Sequence, residues 1–170
     1  MKKEWIEKKD FFEALSQTVA TVSVVTTDGK FGRGGLTVTS MCSVSAEPPS
    51  ILVCINKGSS VCDMIRRNRV MCVNILREDQ ANISDIFSRK LNDDSEDPFK
   101  AGEWVTANTG APLLVNALIS LDCHIQSELN HGTHFILIGN IEHSKLNQLG
   151  WPLVYRARGY EASVGLGSFS

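Results

Sequence analysis

The stretch GRGGLTVTSMCSVS, residues 32–45, decides how the rest of the chain reads. It opens on glycines, as a phosphate-cradling loop does, and then alternates apolar and hydroxyl side chains in the two-residue period of a strand. No helix signal follows it. Just upstream, ATVSVVTT (20–27) is rich in β-branched residues and ends in Asp28-Gly29, a strong turn dipeptide. Together they predict a hairpin: one strand over 20–27, and a partner that begins near Phe31 and runs through the quoted stretch.

Downstream, Pro48-Pro49 interrupts the chain, and SILVCIN (50–56) follows as a continuous apolar run that suits a strand buried on both faces. After the Asn56-Lys57-Gly58 turn, Ser59 or Ser60 can cap a helix carrying Val61, Met64 and Ile65. Arg66, Arg67 and Arg69 lie towards its end, where cations complement the helix dipole. VMCVNIL (70–76) reads as a strand, and residues 79–88 as a helix with Ile83, Ile86 and Phe87 on one side. The polar segment 89–103 is longer than a connector needs to be, and loops of that length are commonly functional or mobile.

ALISLDCHIQSEL (117–129) and FILIGNIEH (135–143) alternate like long strands joined through His131-Gly132-Thr133-His134. Residues 151–155 and 158–160 close the chain. At the other end, Asp10 and Glu13 form a capping-box pattern ahead of a short helix over 11–18. The balance of many strands and few short helices predicts one domain over 1–170. Its expected class is mainly β: a closed or nearly closed antiparallel barrel with helices at its ends.

A net charge of −2 in 170 residues argues against a general binder of nucleic acid or anionic membrane. The N-terminal segment lacks a signal-peptide apolar core, and no run reaches the length of a membrane span, so a cytoplasmic location is expected. The five cysteines are an odd number with no C-x-x-C pair; four of them sit in apolar patterns, and they read as buried reduced thiols rather than a disulfide framework.

Several chemistries fail on spacing. Gly32, Gly34 and Gly35 precede a strand, whereas a dinucleotide fingerprint needs G-x-G-x-x-G between a strand and a helix. Cys123 and His124 are neighbours on a strand and point to opposite faces, so with His131 and His134 they make a poor metal set. There is no G-x-S-x-G elbow for a serine nucleophile, and buried cysteines lack an activating setting.

What survives is a binding constellation. Arg33, Thr37, Thr39 and Ser40 occupy one strand and its mouth. Asn56, Ser59 and Ser60 sit where a strand turns into a helix, whose free N–H groups can receive an anion. Arg89 and Lys90 follow the second helix, and His134 opens a long strand. Each has a plain structural reading as a cap, a strand residue or a solvated charge. Jointly they point to a ligand that bears phosphate and is partly aromatic.

The segment VVTTDGKFGRGGLTVTSMCSVSAEPPSILVCINKGSSV resembles the leading half of the short-chain flavin reductases of two-component monooxygenases. The nearest type is the reductase component of 4-hydroxyphenylacetate 3-monooxygenase, in the flavin reductase-like group of FMN-binding split barrels. MCVNIL, GAPLLVNALISLDCHI, GTHFILIG and PLVYRARGY continue the likeness in order, so that it spans about residues 11 to 160.

The resemblance implies an antiparallel, Greek-key split barrel, a homodimer, that reduces FMN or FAD with NADH or NADPH and passes reduced flavin to a separate oxygenase. By position, Leu36, Thr37, Val38, Thr39 and Ser40 would run along the flavin ring and ribityl chain. Cys54, Ile55 and Asn56, with Ser59 and Ser60, would line the ribityl and phosphate region. Phe87, Ser88, Arg89 and Lys90 would close over the phosphate end, His134 would sit beside the nicotinamide, and Tyr155 belongs to the closing motif. Arg33 would lend positive potential near the flavin or contact its phosphate. The glycines of the opening stretch would let backbone approach a flat ring. Thr39 stands at a position usually occupied by serine, and Arg156 where a histidine usually follows the tyrosine. Non-enzymatic flavin- or haem-binding barrels, and reductases of corrinoids or ferric complexes, remain the alternatives.

Overall fold

The computed structural model describes residues 5–88, 97–147 and 150–163. Arg89 and Lys90, and with them most of the polar loop, lie outside the described residues. Helix α1 (Lys8–Ser16) leads into β1 (Ala20–Thr21), β2 (Ser23–Thr27), β3 (Gly34–Val38), β4 (Met41–Ala46) and β5 (Pro49–Asn56). Then come α2 (Ser60–Asn68), β6 (Val70–Ile75) and α3 (Ala81–Ser88), followed by a 3-10 turn at Pro98–Lys100. The chain ends in β7 (Trp104–Thr106), β8 (Pro112–Leu114), β9 (Ile119–His131), β10 (His134–Leu146), β11 (Leu153–Arg156) and β12 (Gly159–Ala162).

Seven strands form one sheet in the order β3-β2-β6-β9-β10-β5-β4, with antiparallel neighbours throughout. β3 and β4 are separated in the chain only by Thr39 and Ser40, yet they sit at opposite ends of that order. Such a connection is possible only if the sheet curls until its ends meet. The mainly β, antiparallel barrel expected from the pattern is therefore present. The single partner strand expected from Phe31 onward is instead two strands, because the chain bends at the seam.

The strand expected over 20–27 is also divided. At Val22 the backbone changes sheets: its N–H donates to the Leu153 carbonyl at 2.9 Å, and its carbonyl accepts from the Leu76 N–H at 3.0 Å. β1 therefore pairs with β11 in a small sheet with β12. A run of β-branched residues shows no such switch, since its alternation continues unbroken. The β7–β8 hairpin was not signalled either; each of its strands is only three residues long.

The principal core lies inside the curl. Val25, Ile51, Val53, Ile55, Ile65, Met71, Val73, Ile125 and Leu137 pack there, α2 capping one end. Full burial of each such side chain contributes about 1.5–3 kcal/mol. β5 alternates rather than being dry on both faces: Ile51, Val53 and Ile55 point inward, while Leu52 and Cys54 are half-buried. A second core joins Val22, Val24 and Leu76 to Ile83 and Phe87 of α3, with Phe99, Leu114 and Leu153. Between them, the fully buried Asn74 donates to the carbonyls of Val24 and Pro112 and accepts from the Leu114 N–H and the Ser120 hydroxyl. That amide, with the Thr26 hydroxyl that donates to the same Pro112 carbonyl, pins the β7–β8 hairpin to the barrel.

α1 starts earlier than the capping-box pattern predicts. Glu7 occupies the cap without a side-chain hydrogen bond, and Asp10 lies in the first turn. None of its residues is buried. Phe11, Phe12 and Leu15 are 45%, 52% and 50% exposed, so the apolar side that the sequence promised has no cover among the described residues.

Candidate functional site

β3 is built from two different faces. Its first residues, Gly34 and Gly35, are buried, and a Cβ on Gly35 would lie 2.7 Å from Cε1 of Phe87. One on Gly34 would lie 3.0 Å from Cγ1 of Val61. These glycines admit α2 and α3 to the strand. The flat-ring role expected for them is corrected: helix side chains already fill that space. Farther along, Val38 is buried and Leu36 packs against the barrel core, whereas Thr37 and Thr39 face the other way.

Thr37 and Thr39 line a cleft of about 400 Å³ between β3, α3 and the β11–β12 hairpin. Ser84, Asp85 and Ser88 of α3 face it, as do Tyr155, Arg158 and Tyr160. Amphipathic α3 buries Ile83 and Phe87, which leaves Asp85 and Ser88 exposed on the cleft side. The helix is fastened to β3 by the Thr37 hydroxyl, which donates to the Ser84 carbonyl at 2.7 Å. Tyr160 fastens it to the hairpin. Its hydroxyl lies 2.9 Å from both the Asp85 carboxylate and the Ser84 hydroxyl. The phenol has one proton, which goes to the charged acceptor, so the Ser84 hydroxyl donates to the phenol oxygen. Burial pushes the Tyr160 pKa up, which keeps it a donor at neutral pH. The Tyr155 and Tyr160 rings meet edge to face at 5.5 Å.

A second group gathers where β5 ends. Ser40 leaves the β3 face and donates its hydroxyl to the Cys54 carbonyl at 2.8 Å, while the Cys54 N–H donates back to that hydroxyl at 3.2 Å. Desolvation raises the half-buried Cys54 thiol above its ordinary pKa, so it stays neutral. Two residues on, Asn56 accepts from the Gly58 N–H at 2.8 Å in an Asx turn. Ser59 then caps α2, accepting from the Val61 N–H at 3.3 Å. Ser60 is the exposed first residue of the helix.

Asn56 stands opposite His134 in the β5–β10 ladder, and the Lys57 N–H donates to the Thr133 carbonyl at 3.0 Å, which ties the two turns together. His134 Nδ1 lies 2.8 Å from the Thr133 hydroxyl, an arrangement that orients the ring. The structure thus brings together Ser40, Cys54, Asn56, Ser59, Ser60 and His134, and separately Thr37, Thr39, Ser88 and Tyr155.

Three expected contacts go elsewhere. Phe87 does not close over a ligand: it is 4% exposed and packs against Phe99 and Trp104 at 5.3 and 5.5 Å. Ile55 is fully buried in the barrel core, so only its backbone can face a ligand. The Arg33 guanidinium stacks 3.9 Å above the Phe99 ring and lies 3.9 Å from the Asp28 carboxylate, which sets it on the edge of the second core with its side chain 42% exposed. Conversely, Ser84, Asp85 and Tyr160 were missed as site residues. Tyr160 belongs to the closing motif PLVYRARGY, but an acidic residue on an amphipathic helix gives no signal of its own.

The cleft offers hydroxyls beside aromatic edges, and the β5 turn offers caps and amides at a helix start. That donor set fits a flavin and a nicotinamide dinucleotide better than a metal. Comparison with known proteins agrees. Residues 15–163 match the model of the flavin reductase like domain. The chain is 40% identical over 157 residues to the FMN reductase (NADH) RutF of Escherichia coli O127:H6, covering 92% of this chain and 94% of that one. The crystal structure of a protein assigned as a flavin reductase from Haemophilus somnus 129PT superposes with a TM-score of 0.88 at 37% identity, covering 93% and 100% of the two chains. BorF, the flavin reductase component of a bacterial two-component tryptophan halogenase, gives 0.84 at 25% identity, covering 92% and 98%.

Proposed function

Since the chain belongs to the flavin reductase-like family, we infer the work of each part of its site from that premise. The protein is an NAD(P)H-dependent flavin reductase that uses FMN or FAD. When bound, a flavin would supply N5 as the two-electron acceptor for a hydride from nicotinamide C4. The protein's own residues bind, orient and exclude water; no acid–base pair is required of them.

The Ser40–Cys54 seam bears the flavin, with Asn56 and Ser59 holding the ribityl and phosphate end at the start of α2. There the positive end of the α2 dipole favours an anion. Ser40 acts chiefly through the backbone it fixes, since its hydroxyl is engaged with Cys54. His134, oriented by Thr133 and set beside Asn56, positions the nicotinamide and abstracts no proton. The observation that carries this reading is the seam itself. It places the hydroxyl-bearing end of β3 against the strand that ends at Asn56, opposite His134.

We further infer a homodimer. The exposed apolar side of α1, with Phe11, Phe12 and Leu15, needs a partner surface, and a second copy supplies one. The E. coli relative is named for FMN and NADH, and we take those as this protein's preferred pair. Reduced flavin passes to a separate oxygenase, the division of labour of a reductase component. Five free cysteines and a nicotinamide donor suit the cytoplasm.

The test is direct. NADH and NADPH oxidation is followed with added FMN, FAD or no flavin. Oxidation that rises and saturates with flavin is expected; none with any combination would reduce the protein to a flavin-binding barrel. Light scattering on the same sample checks the dimer.

A further inference from the structure

We propose that the cleft between β3, α3 and the β11–β12 hairpin receives the adenosine ribose of the dinucleotide, and that Asp85 makes the protein select NADH over NADPH. The proposal rests on the reductase reading above. The two dinucleotides differ only in a phosphate on the 2′-hydroxyl of that ribose, so whatever reads the ribose decides between them.

The lining is suited to reading a diol. One Asp85 oxygen accepts from Tyr160 at 2.9 Å, which fixes the carboxylate's direction. The other has no partner among the described residues, and the residue is exposed towards the cleft. A free carboxylate oxygen accepts from vicinal hydroxyls and repels a phosphate placed on one of them. The single cation among the described lining residues is Arg158. Its guanidinium is engaged with the Glu13 carboxylate at 3.2 Å and is 69% exposed to water, so it offers a 2′-phosphate little compensation.

Size and aromatic content agree. About 400 Å³ holds a nucleoside but not a whole dinucleotide. The edge-to-face pair Tyr155–Tyr160 presents ring surface beside the carboxylate, where a base can pack. The carboxylate also disfavours a flavin phosphate here, consistent with that phosphate lying at the start of α2.

The experiment compares kcat/KM for NADH and NADPH, at saturating FMN, in the wild type, Asp85→Asn and Asp85→Ser. The wild type is expected to favour NADH, and removal of the charge to shrink that preference by about tenfold or more, chiefly through the KM for NADPH. Binding of adenosine 5′-phosphate and adenosine 2′-phosphate by calorimetry gives a readout without hydride transfer. The wild type should bind the first and reject the second, and Asp85→Asn should narrow the difference. A wild type indifferent to the 2′-phosphate in both assays overturns the proposal. So does an Asp85→Asn variant that changes the KM for FMN while the NADH to NADPH ratio stays fixed, because that would put the flavin in the cleft. A wild type that oxidises neither dinucleotide speaks against the reductase reading, and the calorimetric comparison still decides the role of Asp85.

Discussion

The Ser40 hydroxyl donates to the Cys54 carbonyl and accepts from the Cys54 N–H, so one side chain ties the β3–β4 connection to β5, the strand next to one end of the seven-stranded sheet. Both bonds are part-buried, and water replaces them poorly. Ser40→Ala is expected to lower stability by about 1–2 kcal/mol and, on the proposed placement of the flavin over the seam, to raise the KM for flavin. Urea denaturation with flavin titration checks both. A variant with wild-type stability would show that the seam holds without the hydroxyl.

Gly35 and Phe87 fit as a socket and plug. Gly35→Ala places a methyl 2.7 Å from the Phe87 ring and 3.2 Å from Thr26, and overpacking of this kind costs about 1–3 kcal/mol. Shrinking the plug should relieve it: Phe87→Leu is destabilising by itself but less so in the Gly35→Ala background. A double-mutant cycle from thermal melts measures the coupling. Additive losses would mean that the two residues do not meet.

The same pair shows how far the residues alone could be read. Ser59 as a cap, the 131–134 turn and the long strands β9 and β10 follow from local chemistry, which the fold leaves intact. Phe87 shows the limit. An apolar residue at helical spacing faces something apolar, but spacing does not say whether that is core or ligand. The seam at Ser40 and the sheet switch at Val22 are set by strands far away in the chain, so an alternating pattern passes through both unmarked. Asp85 was invisible for a related reason: a solvated carboxylate and one aimed into a cleft look alike until Tyr160 is brought to it. Only the family likeness placed Asn56 and His134 in one site, and the β5–β10 register shows that they do stand opposite each other.

Buried thiols make stability depend on alkaline pH. Desolvation raises the pKa of Cys54, Cys62 and Cys72, and it pushes Cys123 up from 9.0 to about 12. These groups stay neutral in the folded chain after they would ionise in the unfolded one. Their stabilisation is complete below pH 9 and is lost as pH rises from there to about 12. Each titrating thiol contributes a slope of up to about 1.4 kcal/mol per pH unit. Urea midpoints between neutral pH and pH 10 should fall, and Cys123→Ser, with a hydroxyl that does not ionise in this range, should flatten the fall. In the native protein near neutral pH, iodoacetamide should label the exposed Cys42 and leave Cys72 and Cys123 untouched.

His134 gives the sharpest division between binding and turnover. Its ring is oriented by Thr133 and stands opposite Asn56, at the mouth of the barrel seam. Loss of a group that only orients one reactant should slow transfer by about tenfold to a hundredfold while leaving flavin affinity near the wild-type value. His134→Ala should therefore show a reduced kcat/KM for NADH with an unchanged fluorescence titration of FMN. His134→Asn, which keeps one donor near the same place, should recover part of the rate. Equal loss of flavin binding and turnover would move His134 into the flavin site, and unchanged turnover would remove it from the mechanism.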